Sequence, residues 1–191
     1  MIVLRIVLFS GMVVHKLIWE ILKVSDKNTS KRVLTSPIDG LKYLVKLGKT
    51  VVLLFLVIQT LFLNILPLSS DPAMLRLIGT IIYFIGLLVA IVGRVQLGRN
   101  WANLEDYQVL PGQSLIQTGI YKYIRHPIYI GDVLLLLGLE LALNSWLVLG
   151  VVVLFLYVIF QARKEENILA NAFPGYANYR KRTKMFIPYI M

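Results

Sequence analysis

Apolar residues run along this chain in long blocks rather than in alternation. The blocks are Met1–Leu22, Thr50–Leu68, Ala73–Leu97, Pro127–Leu143 and Trp146–Phe160. Unbroken apolar runs of this length predict helices, and the first three approach the roughly 20 residues needed to cross a bilayer. The last two are shorter, and only Asn144-Ser145 divides them. That spacing predicts a tight helical hairpin that just reaches the far leaflet. Between the blocks lie a polar stretch from Lys23 to Lys49 holding Pro37 and Gly40, a turn over Pro67–Pro72, and a polar segment from Gly98 to His126 with a turn at Pro111-Gly112. From Gln161 the chain is amphipathic and is broken at Pro174-Gly175. Gly79, Gly86 and Gly93 recur at seven-residue spacing in the third block, where small residues let helices approach closely in lipid. Arg5, His15, Lys16 and Glu20 interrupt the first block, and no small-residue cleavage site follows, so it reads as a retained span rather than a signal peptide. The expectation is a single all-α integral membrane domain of five spans. An alternative with the first block flat in the interface gives four.

Composition supports lipid as the solvent. Hydrophobic residues make up 58% of the 191 and charged residues 16%, against about 45–50% and about 25% in a soluble domain. A net charge of +10 in a soluble protein would suggest nucleic acid; here it fits cytosolic loops and anionic headgroups, with no nucleic-acid partner. Three polar segments (23–49, 94–125 and 161 onward) hold 17 of the 20 basic residues. By the positive-inside rule they face the cytosol, which puts the amino terminus outside and the carboxyl terminus inside. The chain has no cysteine and two histidines, which excludes disulfides, cysteine nucleophiles and a histidine-rich metal centre.

Candidate chemistry collects in two cytosolic segments. One is Gly119–Gly131, with Tyr121, Tyr123, Arg125, His126, Pro127, Ile128 and Tyr129; the other holds Arg163, Glu165, Glu166 and Phe173–Arg180. Arg125 and His126 precede a helix start, whose free N–H groups favour an anion. The glutamates balance a cation, and the tyrosines offer flat faces for a base or a cation. Equally, Arg, His and Tyr anchor helices at a membrane boundary, and glutamates solvate a helix face. Asp132 and Glu140 lie within the fourth block, where charge is expensive. Asp132 is close enough to the interface to reach water, and Glu140 is expected near the far interface. His15 and Lys16 read as packing or snorkelling residues.

Gly119-Ile-Tyr121, Arg125-His-Pro-Ile-Tyr-Ile-Gly131, Glu165-Glu166, Phe173-Pro-Gly-Tyr and Tyr179-Arg180 together resemble the isoprenylcysteine carboxyl methyltransferase family, over about residues 95–190. The Arg-His-Pro-x-Tyr-x-Gly core is also similar to segments of phospholipid N-methyltransferases and, more distantly, of NADPH-dependent sterol reductases. The resemblance implies a membrane enzyme that uses S-adenosylmethionine, with Gln113, Ser114, Leu115, Ile116, Tyr121, His126, Pro127, Ile128, Tyr129 and Glu165 lining the cofactor site. Arg125 joins His126 on the methionyl carboxylate, and Glu166 stands beside Glu165 as the second candidate. The glycine-rich loop of soluble nucleotide-binding folds is absent. The implied reaction is methyl transfer to the carboxylate of a prenylated cysteine or a similar lipid-like acceptor, with Arg163 orienting that carboxylate and Glu165 serving the cofactor. Alternatives are N-methylation of phosphatidylethanolamine, NADPH-dependent reduction of a lipid, and a membrane scaffold without catalysis.

Overall fold

The computed structural model describes residues 1–27, 40–101 and 112–190. Pro37 and Pro111, which fall on expected connections, lie outside the described residues. Among the described residues six α-helices follow one another: α1 (Ile2–Lys27), α2 (Gly40–Phe62), α3 (Ala73–Leu97), α4 (Pro127–Ala142), α5 (Val148–Ala172) and α6 (Tyr176–Arg182). Single 3-10 turns occupy Gly98–Asn100 and Gly119–Lys122. Among the described residues there is no strand, only isolated bridges at Pro67–Ser145 and Ile124–Lys184. Among the described residues two helical stretches, Ile2–Lys23 and Ala73–Asn100, are long and apolar enough to cross a membrane.

The helix boundaries follow from local chemistry. Pro127 opens α4, where its missing N–H costs nothing. Asn144, at φ +59°, ends the turn after α4 in the left-handed region that asparagine tolerates. α5 runs twelve residues past the apolar block because Gln161–Ala172 is rich in helix formers, and it stops just before Pro174. α2 departs from expectation at both ends. It begins at Gly40, within the polar stretch, and stops at Phe62 rather than continuing to Leu68. The cause of the early stop is Arg5. Its buried guanidinium donates to the carbonyls of Gln59 (3.0 Å), Thr60 (2.8 Å) and Leu63 (2.7 Å) and to Asn64 Oδ1 (2.8 Å). A cation from α1 thereby satisfies the orphan carbonyls at the end of α2.

α3 and α4 form the tightest pair. A Cβ on Gly79 would lie 2.3 Å from the Ala142 backbone nitrogen, and one on Gly86 2.3 Å from that of Leu135. The reverse surfaces, Gly131 and Gly138, press on Ala90 and Tyr83 just as closely. α1 covers this pair through Leu8, and the Tyr83 hydroxyl donates to the Leu8 carbonyl at 2.7 Å. Glu140 is buried here, in the last turn of α4, and it accepts from Gln59 Nε2 at 2.8 Å.

The ends of the bundle are distinct. At one end the α2–α3 connection and the α4–α5 turn are stitched together: Leu68 donates to the Asn144 carbonyl, Trp146 to that of Leu66, and Asn144 Nδ2 to that of Ser69. Met1 lies at this end too, on a cavity of about 400 Å³ whose one charged side chain is Arg76. The segments carrying the Arg-His-Pro core and the glutamates gather at the other end.

Candidate active site

At that second end the carboxyl-terminal segment fixes the Arg-His-Pro core. Arg125 and His126 donate their backbone N–H groups to the carbonyls of Lys184 (2.9 Å) and Met185 (3.1 Å), and Lys184 returns one to Tyr123 (3.0 Å). Phe186, fully buried, sits beside His126 and Phe155. Behind this bridge, Arg125 Nε donates to Glu166 Oε1 at 2.6 Å, while its Nη1 donates to the Thr183 carbonyl. His126 Nε2 lies 3.3 Å from the same Glu166 oxygen, and Arg180 Nε lies 3.4 Å from the other. Burial pushes the Glu166 carboxyl up, yet the hydrogen bonds from His126 and Arg125, with their charges, more than offset it and hold the group below the usual carboxylate range.

In front of the bridge lies a cavity of about 210 Å³. Its wall includes Gln113, Ser114, Leu115 and Ile116 from the segment after α3, and Tyr121, Arg125, His126, Pro127, Ile128 and Tyr129 around the start of α4. Glu165 of α5 completes the set; its carboxylate accepts from the Tyr129 hydroxyl at 2.6 Å and lies 3.7 Å from His126 Nδ1. The His126 and Tyr129 rings stack with centroids 5.1 Å apart. Among the described residues no side chain caps α4, and Pro127, Ile128 and Tyr129 of its first turn line the same space. Three residues named in the sequence lie elsewhere. Glu166 is 1% exposed and serves Arg125 from behind; Tyr123 is exposed; Arg163 is exposed and off the cavity wall.

On the same wall, Asn100, Trp101 and Trp19 carried no signal in the sequence, whereas Asp132, Tyr176 and Tyr179 are residues that it singled out. Asn100 pins the loop, accepting from Ser114 N at 2.6 Å through its side chain and from Gln113 Nε2 at 2.9 Å through its carbonyl. Trp101 lies under Arg94, 4.6 Å from ring centroid to guanidinium carbon. Trp19 of α1 and Asp132 of α4 form the side toward the bundle. Tyr176 and Tyr179 arrive from α6. Burial pushes the Tyr179 hydroxyl up to about 12, and burial likewise raises Tyr121 and Tyr176, so all three remain neutral donors. The Tyr179 hydroxyl donates to the Tyr121 carbonyl at 2.8 Å and the Tyr121 hydroxyl to Gly93 at 3.2 Å. The Tyr176 hydroxyl is buried on the cavity wall with no protein partner among the described residues. A buried hydroxyl left unpaired is costly, and a polar ligand in this cavity would satisfy it.

The wall thus offers cationic and N–H donors on one side, a carboxylate on the other, neutral hydroxyls, and apolar and aromatic faces. Among the described residues no cluster of ligands could hold a metal ion.

Comparison with known proteins finds relatives in sequence and in fold. A cobalt-zinc-cadmium resistance protein of Cupriavidus metallidurans is 34% identical over 99 residues, covering 51% of this chain and 45% of that protein. A protein-S-isoprenylcysteine O-methyltransferase of Schizosaccharomyces pombe is 31% identical over 99 residues, covering 50% and 42%. The chain spans about half the length of the curated relatives it matches. In fold it is similar to the eukaryotic intramembrane Ras methyltransferase, isoprenylcysteine carboxyl methyltransferase, with a TM-score of 0.56 at 20% identity, covering 78% of this chain and 53% of that one. The sequence profile of the phospholipid methyltransferase family matches residues 74–175, which run from α3 through the Arg-His-Pro core and both glutamates to the end of α5. With more than half of its length inside that match, the chain belongs to the phospholipid methyltransferase family.

Proposed function

We propose that the protein is a membrane methyltransferase that binds S-adenosylmethionine in the cavity at the start of α4 and methylates the carboxylate of a prenylated cysteine, or of a similar lipid-like acid. The observation that carries this reading is the meeting of His126, Tyr129 and Glu165 with the uncapped start of α4 around one cavity, in a chain of this family. The donor set fits the cofactor's chemistry. His126, Arg125 and the helix N–H groups suit its carboxylate, Glu165 its ammonium or ribose, and Leu115, Ile116 and Leu169 its adenine; the unpaired Tyr176 hydroxyl gains a partner. The cofactor supplies an electrophilic methyl group on a sulfonium. A carboxylate acceptor is already ionised at neutral pH, so the chain needs no general base and contributes orientation and exclusion of water.

In this reading five helices span the bilayer, α4 and α5 forming a hairpin, with the amino terminus outside and the cavity cytosolic. The lipid tail enters sideways between spans, and Arg163, exposed on α5, meets the acceptor carboxylate from the membrane boundary. A second reading, N-methylation of phosphatidylethanolamine, draws support from Asp132, a carboxylate on the cavity wall where Arg163 is not. The test supplies labelled methyl donor with a farnesylcysteine analogue or with phosphatidylethanolamine. Label in the prenyl acid, abolished by Arg163→Ala, supports the first reading. Label in the phospholipid alone replaces it with the second.

A further inference from the structure

Below the cavity, toward the bundle, one polar pair takes no part in holding the cofactor as proposed. His15 of α1 and Asp132 of α4 meet across the helix interface, Nε2 to Oδ1, at 3.0 Å. The His15 ring stacks on Trp19, one turn along α1, with centroids 4.1 Å apart and planes at 23°. Trp19 and Asp132 both form part of the cavity wall. Asp132 follows His126 and Tyr129 at three-residue steps, so the three form one polar stripe running from the cofactor end down α4 into the bundle.

The geometry of the pair is that of an oriented acceptor. With its Nε2 proton donated to the carboxylate, His15 fixes one Asp132 oxygen; the other has no protein partner among the described residues. The Asp132 side chain is 44% exposed, on the cavity wall beside Trp19 of the same His15 stack. A carboxylate at this depth costs free energy unless something offsets it, and one histidine satisfies only part of its hydrogen-bonding capacity.

We infer that the His15–Asp132 pair is the acceptor-recognition site: Asp132 takes a hydrogen bond from a nitrogen that the lipid-tethered acceptor carries close to its methylated atom, and His15 positions Asp132 for it. This rests on the methyl-transfer reading. The nitrogen belongs to the α-amino or amide group of a prenylcysteine or to the headgroup of phosphatidylethanolamine. In the first case the carboxylate two bonds away is directed toward the cofactor end; in the second the nitrogen is itself the acceptor. A prenyl acid without nitrogen lacks the contact.

Equilibrium binding to the intact protein in lipid nanodiscs, with and without S-adenosylhomocysteine, provides the test. The probes are S-farnesylcysteine, S-farnesylthiopropionate (the same acid without the nitrogen) and phosphatidylethanolamine against phosphatidic acid. Wild type is expected to prefer one nitrogen-bearing probe over its nitrogen-free partner by about tenfold or more, the worth of one charge-assisted hydrogen bond. The pair that shows the preference identifies the source of the nitrogen. Asp132→Asn should erase the preference, both without S-adenosylhomocysteine and with the protein saturated by it. His15→Phe, which keeps a ring against Trp19, should weaken the preference, and His15→Gln, which keeps an N–H donor, should restore it. Equal binding of both members of each pair by wild type, or a preference that survives Asp132→Asn, overturns the inference. Loss of S-adenosylhomocysteine binding alone, with the nitrogen preference intact, would count against the cofactor reading and not against this pair.

Discussion

Glu166 shows how one buried carboxylate organises the candidate site without touching its cavity. It is 1% exposed, and Arg125, His126 and Arg180 converge on it. Removing one partner of such a cluster leaves a buried charge, so Glu166→Ala should destabilise the fold by about 3–5 kcal/mol. Its pKa is depressed in the folded state. The stability it confers is therefore complete above the unfolded carboxylate value, about 4.3, and is lost as pH falls through the lower folded value. A series of thermal midpoints from pH 7 to pH 3 in lipid-detergent micelles should show a steep acid loss in wild type. Glu166→Gln should begin lower at neutral pH and show a flatter acid limb. The glutamate pair is plain in the sequence, but which member meets the cavity is not. Neighbouring helix residues point about 100° apart, and only the position of α5 against the start of α4 puts Glu165 on the wall and Glu166 behind it. Arg5 was similarly opaque: in the sequence it interrupts an apolar run, and in the fold it caps a helix 54 residues away.

Helices α3 and α4 carry the site as one rigid unit, and their contact is backbone against backbone. On Gly86 a Cβ would lie 2.3 Å from the Leu135 nitrogen and 2.7 Å from the Gly131 carbonyl, atoms that cannot move without parting the helices. Gly86→Ala should therefore cost about 1–3 kcal/mol by overpacking, read as a lower thermal midpoint. Gly150→Ala on α5 is the control. Nothing lies within 4 Å of its Cβ, and alanine is the better helix former, so the midpoint should hold or rise slightly. The seven-residue glycine spacing of α3 is legible in the sequence, and α4 answers it with Gly131 and Gly138 at the same interval. The bridge between residues 123–126 and 184–185 is not legible, because two-residue pairing between distant segments leaves no periodic trace.

For the molecule as a whole, the end of the bundle that holds Met1 and the stitched turns lies opposite the end that holds the cavity and the carboxyl-terminal segment. If the bundle crosses the membrane as proposed, reporter tags placed at Ser69–Ser70 and after the last residue should label from opposite faces; labelling from one face would contradict five spans. The apolar blocks made the helices readable from the sequence, while the Trp19 and Asp132 part of the cavity wall depended on how α1 packs beside α4.

In the proposed reading, the cavity end of the bundle binds the product of a methyl donor. Titration of the purified protein, reconstituted in lipid, with S-adenosylhomocysteine and separately with NADPH tests it most directly. Saturable binding of S-adenosylhomocysteine is expected, weakened by about 1–3 kcal/mol in His126→Ala, with no binding of NADPH. A folded protein that ignores S-adenosylhomocysteine, or that binds NADPH in its place, would contradict it.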